Sequence, residues 1–177
     1  MPRLFTGLEL PAHLAFELSR LRGGLYGATW IDADNYHITL RFIGDIDRGM
    51  AGDVAAVLDN IHHRRFDVTL DQLDIFGGHK PRALIARARA ASPLRELQAA
   101  QERLMRRIGI PASSHKYVPH VTLARLRQSS PLAVADFLAG RGLFATRQFE
   151  ATRFVLYSSR GSTGGGPYTI EAEYPLG

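Results

Sequence analysis

Apolar side chains recur along this chain with two periods, one typical of helices and one typical of strands. Stripes with the helical spacing i, i+3, i+4 and i+7 predict four helices. They run from Pro11 to Gly23-Gly24, over residues 49–62, from an N-cap at Ser92 to Gly109, and from Pro131 to Ala139. Alternating or mostly apolar segments predict strands at Arg3–Leu10, Tyr36–Ile43, Phe66–Phe76, Arg82–Arg89, Tyr117–Arg125, Phe149–Tyr157 and Tyr168–Tyr174.

The order of these elements favours an α+β fold with antiparallel sheets. Helices alternate with strands, but several consecutive strands are joined by turns so short that only antiparallel pairing is possible. The same periods predict which side chains are buried within an element. These are Leu97, Ala100, Leu104 and Ile108 in the third helix, and Val68, Leu70 and Gln72 on one face of the third strand.

The composition is that of a globular protein with a basic excess. At 177 residues, the chain is long enough for one domain or for two small lobes sharing a core. The net charge of +5 favours an anionic partner such as RNA or nucleotides. The chain has no Cys, which excludes disulfides and thiolate metal sites and predicts a reducing, cytoplasmic location. No apolar run approaches the ~18 residues of a membrane span, so no membrane association is expected.

One tetrapeptide pattern, His-apolar-Thr-Leu, occurs twice, beginning at His37 and at His120. Because side chains alternate along a strand, His and Thr share one face while the two apolar side chains face the core. Two such strands side by side would form a cleft with two imidazoles and the hydroxyls of Thr39 and Thr122. Imidazoles titrate near pH 6.5, so one can act as a general base and the other as a general acid. The repetition indicates a diverged internal duplication with pseudo-two-fold symmetry.

A metal site is the rival use of two histidines. Zinc sites usually need three or four ligands, and no second close cluster of ligands is present. Asp32 and Asp34 precede His37 but belong to a predicted turn, and His62-His63 are neighbours whose side chains diverge. We therefore predict neither a metal nor any other cofactor. The remaining histidines are expected at the surface: His13, His79 and His115.

Three arginines follow the two motifs, and all are expected to be solvated strand ends: Arg41, Arg125 and Arg127. Arg125 is the best candidate for binding a phosphate, but strict alternation places it opposite His120 unless the strand bulges. Phe42 occupies the matching position in the first half and is either a core residue or a stacking platform for a base. The segment Gly161–Gly166 lacks a phosphate-binding pattern and is predicted to be a flexible hairpin tip.

With their flanks, the two motifs resemble the 2H phosphoesterase superfamily, specifically the bacterial and archaeal RNA 2′,3′-cyclic phosphodiesterases, once described as 2′-5′ RNA ligases. The similar segments are spread over the chain in the family's order: Arg3–Pro11, Trp30–Gly44, Tyr117–Arg125 and Phe154–Arg160. The resemblance implies that residues 1–177 form a single bilobal domain, with two antiparallel sheets flanking a central cleft and helices outside. We expect it to be a monomer.

The resemblance also implies an activity, the hydrolysis of 2′,3′-cyclic phosphate ends of RNA or nucleotides to 2′-phosphomonoesters without a metal. It assigns catalysis to His37 and His120, with His120 as base and His37 as acid, or the reverse. It assigns substrate binding to Thr39, Thr122, Arg125 and Phe42. Two alternatives stay open: another 2H activity, such as cleaving or joining 2′-5′ linkages or opening another cyclic phosphate, and a non-catalytic module that binds RNA ends.

Overall fold

The computed structural model describes residues 2–141, 144–159 and 166–177. The predicted hairpin tip at Gly161–Gly166 falls almost entirely outside these residues. The described chain contains a 3₁₀ turn at Ala33–Asn35 and four α-helices: α1 (Ala12–Ser19), α2 (Arg48–Leu58), α3 (Ser92–Arg107) and α4 (Pro131–Gly140). Its strands are β1 (Arg3–Glu9), β2 (Ala28–Trp30), β3 (His37–Asp45), β4 (Phe66–Phe76), β5 (Ala83–Ala88), β6 (His120–Leu126), β7 (Arg147–Ala151), β8 (Arg153–Ser158) and β9 (Thr169–Pro175).

All strand pairs are antiparallel, which confirms the predicted α+β class. The strands follow the order β7-β4-β5-β6-β3-β1-β8-β9, and β2 pairs with β6. The two predicted sheets are the halves of this array. They meet where β3 and β6 pair through Ile38 and Val121 alone, so the first residues of both strands lie side by side.

The two halves repeat one arrangement around this junction. β1, α1 and β3 form a strand, a helix and a returning antiparallel strand, and β5, α3 and β6 do the same. In each half the returning strand begins with the histidine of the repeated motif and lies at the centre of the array. This is the pseudo-two-fold relation expected from the duplicated motif.

Helices and strands bury their apolar faces in one large cluster. Its members include Leu14 of α1, Leu97 of α3, and Ile38 and Val121 of the central strands. Burial of such apolar surface supplies the main stabilisation of the fold. A small second cluster of Phe5, Val155 and Tyr157 lies apart from it. None of the helices among the described residues is long and apolar enough to span a membrane.

The segment predicted as one strand, Phe149–Tyr157, is two strands that belong to opposite halves. β7 pairs with β4, whereas β8 pairs with β1 and β9, and the chain crosses between the halves at Thr152. The sequence marks the crossing only by the adjacent polar residues Thr152 and Arg153, a break too short to distinguish two strands from one. β2 was not predicted, since three residues are too few to show a period.

Two predicted helices end early. After α1 the chain continues with i to i−3 hydrogen bonds at residues 20–22, so it remains turn-like and keeps the apolar spacing up to Leu25. Likewise α2 ends at Leu58, followed by similar bonds at residues 59–61. Apolar periodicity therefore extended beyond the true helix in both cases.

The third helix differs from the prediction at its start and on its buried face. Ala91 is the N-cap, and the Ser92 side chain does not cap the helix. Leu97 is buried as predicted, but the other buried positions are Leu94, Gln101 and Met105, whereas the predicted Ala100, Leu104 and Ile108 are only half-buried. The polar Gln101 lies on the buried face, where its side chain accepts a hydrogen bond from the buried Thr6 hydroxyl.

In the third predicted strand, now β4, Gln72 does not share a face with Val68 and Leu70. A shift in register between Leu70 and Gln72 inserts an extra residue, which leaves Gln72 exposed. Such a bulge reverses the facing of every side chain that follows it. Strict alternation from Val68 could not reveal it.

Candidate active site

The four polar residues of the two motifs meet at the junction between the halves. Ile38 and Val121 are fully buried, whereas His37, Thr39, His120 and Thr122 are half-buried on the other face of the central strands. A cavity of about 170 Å³ is lined by His37, Thr39 and Thr122. Thr39 also lines a larger neighbouring cavity together with His120. The structure thus brings the four residues into one cleft.

Each imidazole is oriented by a backbone carbonyl two residues earlier. His37 Nδ1 lies 2.8 Å from the carbonyl oxygen of Asn35, and His120 Nδ1 lies 2.7 Å from that of Val118. A carbonyl oxygen only accepts, so both Nδ1 atoms carry a proton and donate it. The Nε2 atom of each neutral imidazole is therefore the basic one. His37 Nε2 lies 3.0 Å from the Thr39 hydroxyl.

Aromatic rings hold the two imidazoles in place. Around His37, the ring centroids of Phe5, Tyr157 and Tyr168 lie between 5.0 and 5.4 Å away. The ring of Phe76 is perpendicular to that of His120, at a centroid distance of 4.8 Å. The sequence interpretation missed these four residues, because no local pattern connects β1, β4, β8 or residue 168 to the motif strands.

Burial governs the protonation of both histidines. It lowers the pKa of His37 below the ordinary value, and the nearby His120 lowers it further, although the bond to Asn35 opposes the shift. Burial likewise lowers the pKa of His120, assisted by the charge of Arg87 and opposed by the bond to Val118. A low-dielectric environment disfavours the charged imidazolium. Both imidazoles of the protein alone are consequently biased toward the neutral form.

Arg125 reaches the cleft because β6 bulges. Its partner β5 pairs Leu84 with Ala124 and Ile85 with Thr122, which leaves Leu123 as an extra residue. Leu123 and Ala124 are both buried in succession, and Arg125 turns outward, so the alternation changes phase. Arg125 lines the same cavity as His37 and Thr122. The sequence analysis placed Arg125 in the cleft only if β6 bulges, and β6 does bulge.

Phe42 occupies the equivalent place in the other half. In β3, Thr39 and Arg41 pair with two consecutive residues of β1. Leu40 between them is therefore an extra residue without a partner on β1. Phe42 is therefore turned outward and is 55% exposed. It lines the cavities on both sides of Thr39. Of its two predicted positions, core or cleft, Phe42 occupies the cleft.

Arg41 is not the solvated strand end that the sequence suggested. It is buried, with an ion pair to Glu102 of α3 and hydrogen bonds from its guanidinium to the carbonyl oxygens of Phe42 and Pro111. Its backbone N–H donates to the Thr6 hydroxyl at 3.1 Å. Arg41 thus ties the bulge of β3 to α3 and to the segment before β6. The prediction failed because the partner lies 61 residues away in the chain.

Two larger cavities extend the cleft on the His120 side. The first, which we term the aromatic cavity, measures about 500 Å³ and is lined by residues that include Phe42, Phe76, Lys116, Tyr117 and His120. The Tyr117 hydroxyl donates to the carbonyl oxygen of Thr39 at 2.9 Å, which connects the wall of this cavity to β3. His115, predicted to be a plain surface residue, is exposed but also lines this cavity.

The second, which we term the arginine cavity, measures about 630 Å³ and is lined by Arg82, Arg125 and Arg127 together with Thr29, Phe76, Ala83, Thr122 and Leu126. Arg127 is exposed, as expected, but it contributes to this wall. No Asp or Glu of the described chain lines the aromatic cavity, the arginine cavity or the two smaller cavities beside His37. The electrostatic field along the cleft therefore favours anions.

The other histidines do not join the cleft chemistry. His13, His62 and His79 are exposed, and His63 lies 3.5 Å from the carboxylate of Glu96. Within residues 2–141, 144–159 and 166–177, no group of three or more His, Asp or Glu side chains could hold a metal ion. The cleft is thus built from imidazoles, hydroxyls, arginines and aromatic rings.

Known proteins share the duplicated arrangement of this chain. The model of the family described as LigT-like phosphoesterase matches the chain twice, at residues 8–86 and 85–168, so each match contains one His-apolar-Thr-Leu motif. The RNA 2′,3′-cyclic phosphodiesterase of Aquifex aeolicus is 31% identical over 153 residues, covering 84% of this chain and 81% of the relative. The protein of the same name from Aeropyrum pernix is 32% identical over 99 residues, covering 55% and 56%.

Among solved structures, Escherichia coli LigT complexed with 3′-AMP superposes with a TM-score of 0.78. It covers 99% of both chains at 23% identity. A likeness at that identity establishes the shared fold.

Proposed function

This chain belongs to the LigT-like phosphoesterase family, and we propose that it is an RNA 2′,3′-cyclic phosphodiesterase. Its substrate is an RNA end or nucleotide carrying a 2′,3′-cyclic phosphate, and its product is the 2′-phosphomonoester. The observation that carries the proposal is the pair of imidazoles, His37 and His120, held by backbone carbonyls in one cleft beside two threonine hydroxyls. The names of the relatives support the choice of substrate.

The proposed reaction needs one base and one acid on opposite sides of the phosphorus. His120 Nε2 takes a proton from water, whose oxygen attacks phosphorus. The bond from phosphorus to the 3′ oxygen breaks in line with the attack. His37 Nε2 protonates that departing oxygen, which leaves the phosphate on the 2′ oxygen. After the reaction His120 has gained one proton and His37 has lost one. Exchange of these protons with solvent returns the pair to its starting state.

The division of roles between the two histidines comes from the family resemblance, and the surroundings of His37 are compatible with it. An imidazolium at His37 would donate through Nε2 to the leaving oxygen while Nδ1 remains bound to Asn35. Its lowered pKa disfavours that charge in the protein without substrate. A bound phosphate anion raises the pKa of a neighbouring imidazole and so restores the proton.

Charge that builds on the non-bridging oxygens requires donors placed in advance. Thr39 and Thr122 supply hydroxyls on either side of the cleft, and Arg125 supplies a guanidinium in the same cavity. Donors of this kind stabilise the transition state more than the ground state. Because these three residues and the two histidines supply all the groups that the scheme needs, the proposal includes no metal.

Phe42 completes the proposed site as a stacking surface. Its ring is more than half exposed at the mouth of the aromatic cavity, where a nucleobase attached to the cyclic phosphate can lie against it. Stacking on a single aromatic ring tolerates all four bases. The site would then select the cyclic phosphate and accept different terminal nucleotides.

The test is hydrolysis of a nucleoside 2′,3′-cyclic phosphate by the purified protein, followed by phosphorus NMR of the product. We expect a single isomer, the 2′-phosphate, because only one ring oxygen can lie opposite the attacking water in one binding pose. A pure 3′-phosphate would reverse the pose, and a mixture would contradict a single pose. Binding without turnover of cyclic mononucleotides and of a cyclic-phosphate oligonucleotide would overturn the proposal in favour of a binding module.

A further inference from the structure

We propose that the arginine cavity binds the phosphodiester on the 5′ side of the terminal nucleotide. The protein would then act on oligonucleotide ends in preference to free nucleoside cyclic phosphates. This inference rests on the proposed function, because it extends the substrate along the same cleft. The residues it assigns to this contact are Arg82 and Arg127, neither of which the proposed reaction uses.

The arginine cavity lies next to the cavity that holds His37. The arginine cavity shares Thr122 and Arg125 with the smaller cavity that holds His37. An anion among its arginines is therefore a neighbour of the reacting phosphate, separated from it by the residues that both cavities share. In an RNA end, the phosphodiester nearest to the cyclic phosphate is the one on the 5′ oxygen of the same nucleoside.

The positive charges of Arg82 and Arg127 are not neutralised by carboxylates of the described chain. Several arginines within the strands pair with carboxylates, among them Arg41 with Glu102, Arg87 with Asp74 and Arg153 with Glu9. In the described chain, the side chains of Arg82 and Arg127 form no salt bridge with any carboxylate, and no acidic residue lines their cavity. The planar guanidinium presents paired N–H donors that match two phosphate oxygens.

The backbone holds Arg127 at this wall although β6 has already ended. The Arg127 N–H donates to the carbonyl oxygen of Gly27 at 2.9 Å. Gly27 has a φ of 82°, and a Cβ added there would lie 2.0 Å from the Arg127 carbonyl oxygen, so only glycine allows this approach. The Ser129 hydroxyl donates to the Tyr26 carbonyl oxygen at 2.6 Å. The segment before β2 thereby clamps the chain beyond β6 beside Thr29.

The two large cavities also fit the two ends of one nucleotide. Phe76 and Arg82 line both the aromatic cavity and the arginine cavity. A nucleoside whose cyclic phosphate lies between the histidines can direct its base toward Phe42 and its 5′ phosphate toward Arg82 and Arg127. A free nucleoside cyclic phosphate has a base but no 5′ phosphate, so it fills only one of the two cavities.

The experiment compares two substrates with the same terminal nucleotide, a nucleoside 2′,3′-cyclic phosphate and a dinucleotide ending in that cyclic phosphate. The measured quantity is the ratio of kcat/KM for the dinucleotide to kcat/KM for the mononucleotide. We expect the ratio to be about tenfold or more, the value of one charge-assisted hydrogen bond. Arg82→Gln and Arg127→Gln should each lower the ratio about three- to tenfold, and Arg127→Lys should lower it less because a charge remains.

Arg107→Gln is the matched control, since Arg107 is an exposed arginine at the end of α3 that lines none of the cavities. It removes the same net charge and should leave the ratio unchanged. A wild-type ratio near one, or equal losses in all three glutamine variants, would overturn the inference while leaving the proposed function intact. Absence of hydrolysis of both substrates would instead overturn the proposed function, so the two failures are distinguishable.

Discussion

Arg41 of β3 forms an ion pair with Glu102 of α3 beneath the cleft, with side chains that are 7% and 18% exposed. Glu102 also accepts a hydrogen bond from the Ser113 N–H at 3.1 Å, so the pair connects the bulged strand, the helix and the chain leading to β6. Phe42, the next residue of the bulge, owes its outward direction to this anchored backbone. The ion pair therefore stabilises the fold and also fixes the backbone from which Phe42 extends into the cleft.

Removing the carboxylate should leave the Arg41 charge buried without its partner. We expect Glu102→Ala to lower the free energy of unfolding by about 3 kcal/mol, the lower end of the range for breaking a buried pair. Glu96→Ala is the control on the same helix, because Glu96 is 62% exposed and pairs with His63 at the surface. It should cost at most about 1 kcal/mol. Urea denaturation of the two variants checks the difference, and equal losses would contradict the structural role of Arg41.

The paired histidines give the second prediction. His37→Ala and His120→Ala should each lower kcat by ~10²–10⁴, the typical effect of losing a positioned acid or base. The double variant should lose less than the product of the single losses, because the two residues act as a unit. Steady-state kinetics on a cyclic mononucleotide measures this, with His13→Ala as an exposed control. Near-normal turnover in either single variant would remove that residue from the mechanism.

The exposed ring of Phe42 gives the third prediction. If a base stacks on it, Phe42→Ala should raise KM about fivefold or more, which corresponds to the ~1 kcal/mol lower limit for base–aromatic stacking. Phe16→Ala is the matched control, because Phe16 is a 65% exposed phenylalanine of α1 that lines none of the cavities along the cleft. That variant should leave KM unchanged. Equal KM values for all three proteins would return Phe42 to an ordinary surface role.

The lowered pKa values of both histidines give the fourth prediction, which concerns pH. A lowered pKa keeps an imidazole neutral down to a lower pH, so the histidine that acts as general base stays active in more acidic solution. The histidine that acts as general acid loses its proton at a lower pH than an ordinary histidine would. The kcat/KM profile, which reports the free protein, should be bell-shaped with its maximum below about pH 6.5, the ordinary histidine pKa.

Bound phosphate reverses this shift. The anion raises both apparent pKa values, so the kcat profile should lie at higher pH than the kcat/KM profile, provided that chemistry limits turnover. The two limbs belong to the coupled pair and need not be assigned to single residues. Measuring both profiles on one cyclic mononucleotide tests the direction. A kcat/KM maximum well above pH 7 would contradict the desolvation of the two imidazoles.

Metal removal gives the fifth prediction. The proposed reaction uses side-chain donors alone, and two histidines without a third ligand make a poor metal site. Activity should therefore survive prolonged dialysis against EDTA, followed by assay in chelator-treated buffer. If the dialysed protein lost its activity and a single added divalent metal restored it, the side-chain scheme would need a metal ion at its centre.

The sequence alone identified the elements whose signals are local. Alternation in the two His-apolar-Thr-Leu segments indicated that His37, Thr39, His120 and Thr122 share a face with one another once their strands pair. That inference needs only the period of a strand and two apolar anchors, both of which are written in four residues. The α+β class followed in the same way from helical and strand periods joined by short turns.

Tertiary structure decided what depends on partners distant in the chain. Whether Arg125 and Phe42 face the cleft depends on bulges at Leu123 and Leu40, which exist only because β5 and β1 pair with those strands in a shifted register. The division of residues 147–158 between two halves likewise depends on which strand each piece meets.

The burial of Arg41 has the same origin. Its partner Glu102 lies on a helix of the other half of the chain, so no window of sequence around Arg41 contains the charge that stabilises it. Periodicity records which side of an element is apolar, because that property is a sum over neighbouring residues. Register, bulges and buried charge pairs are properties of contacts between segments, and only the folded chain brings those segments together.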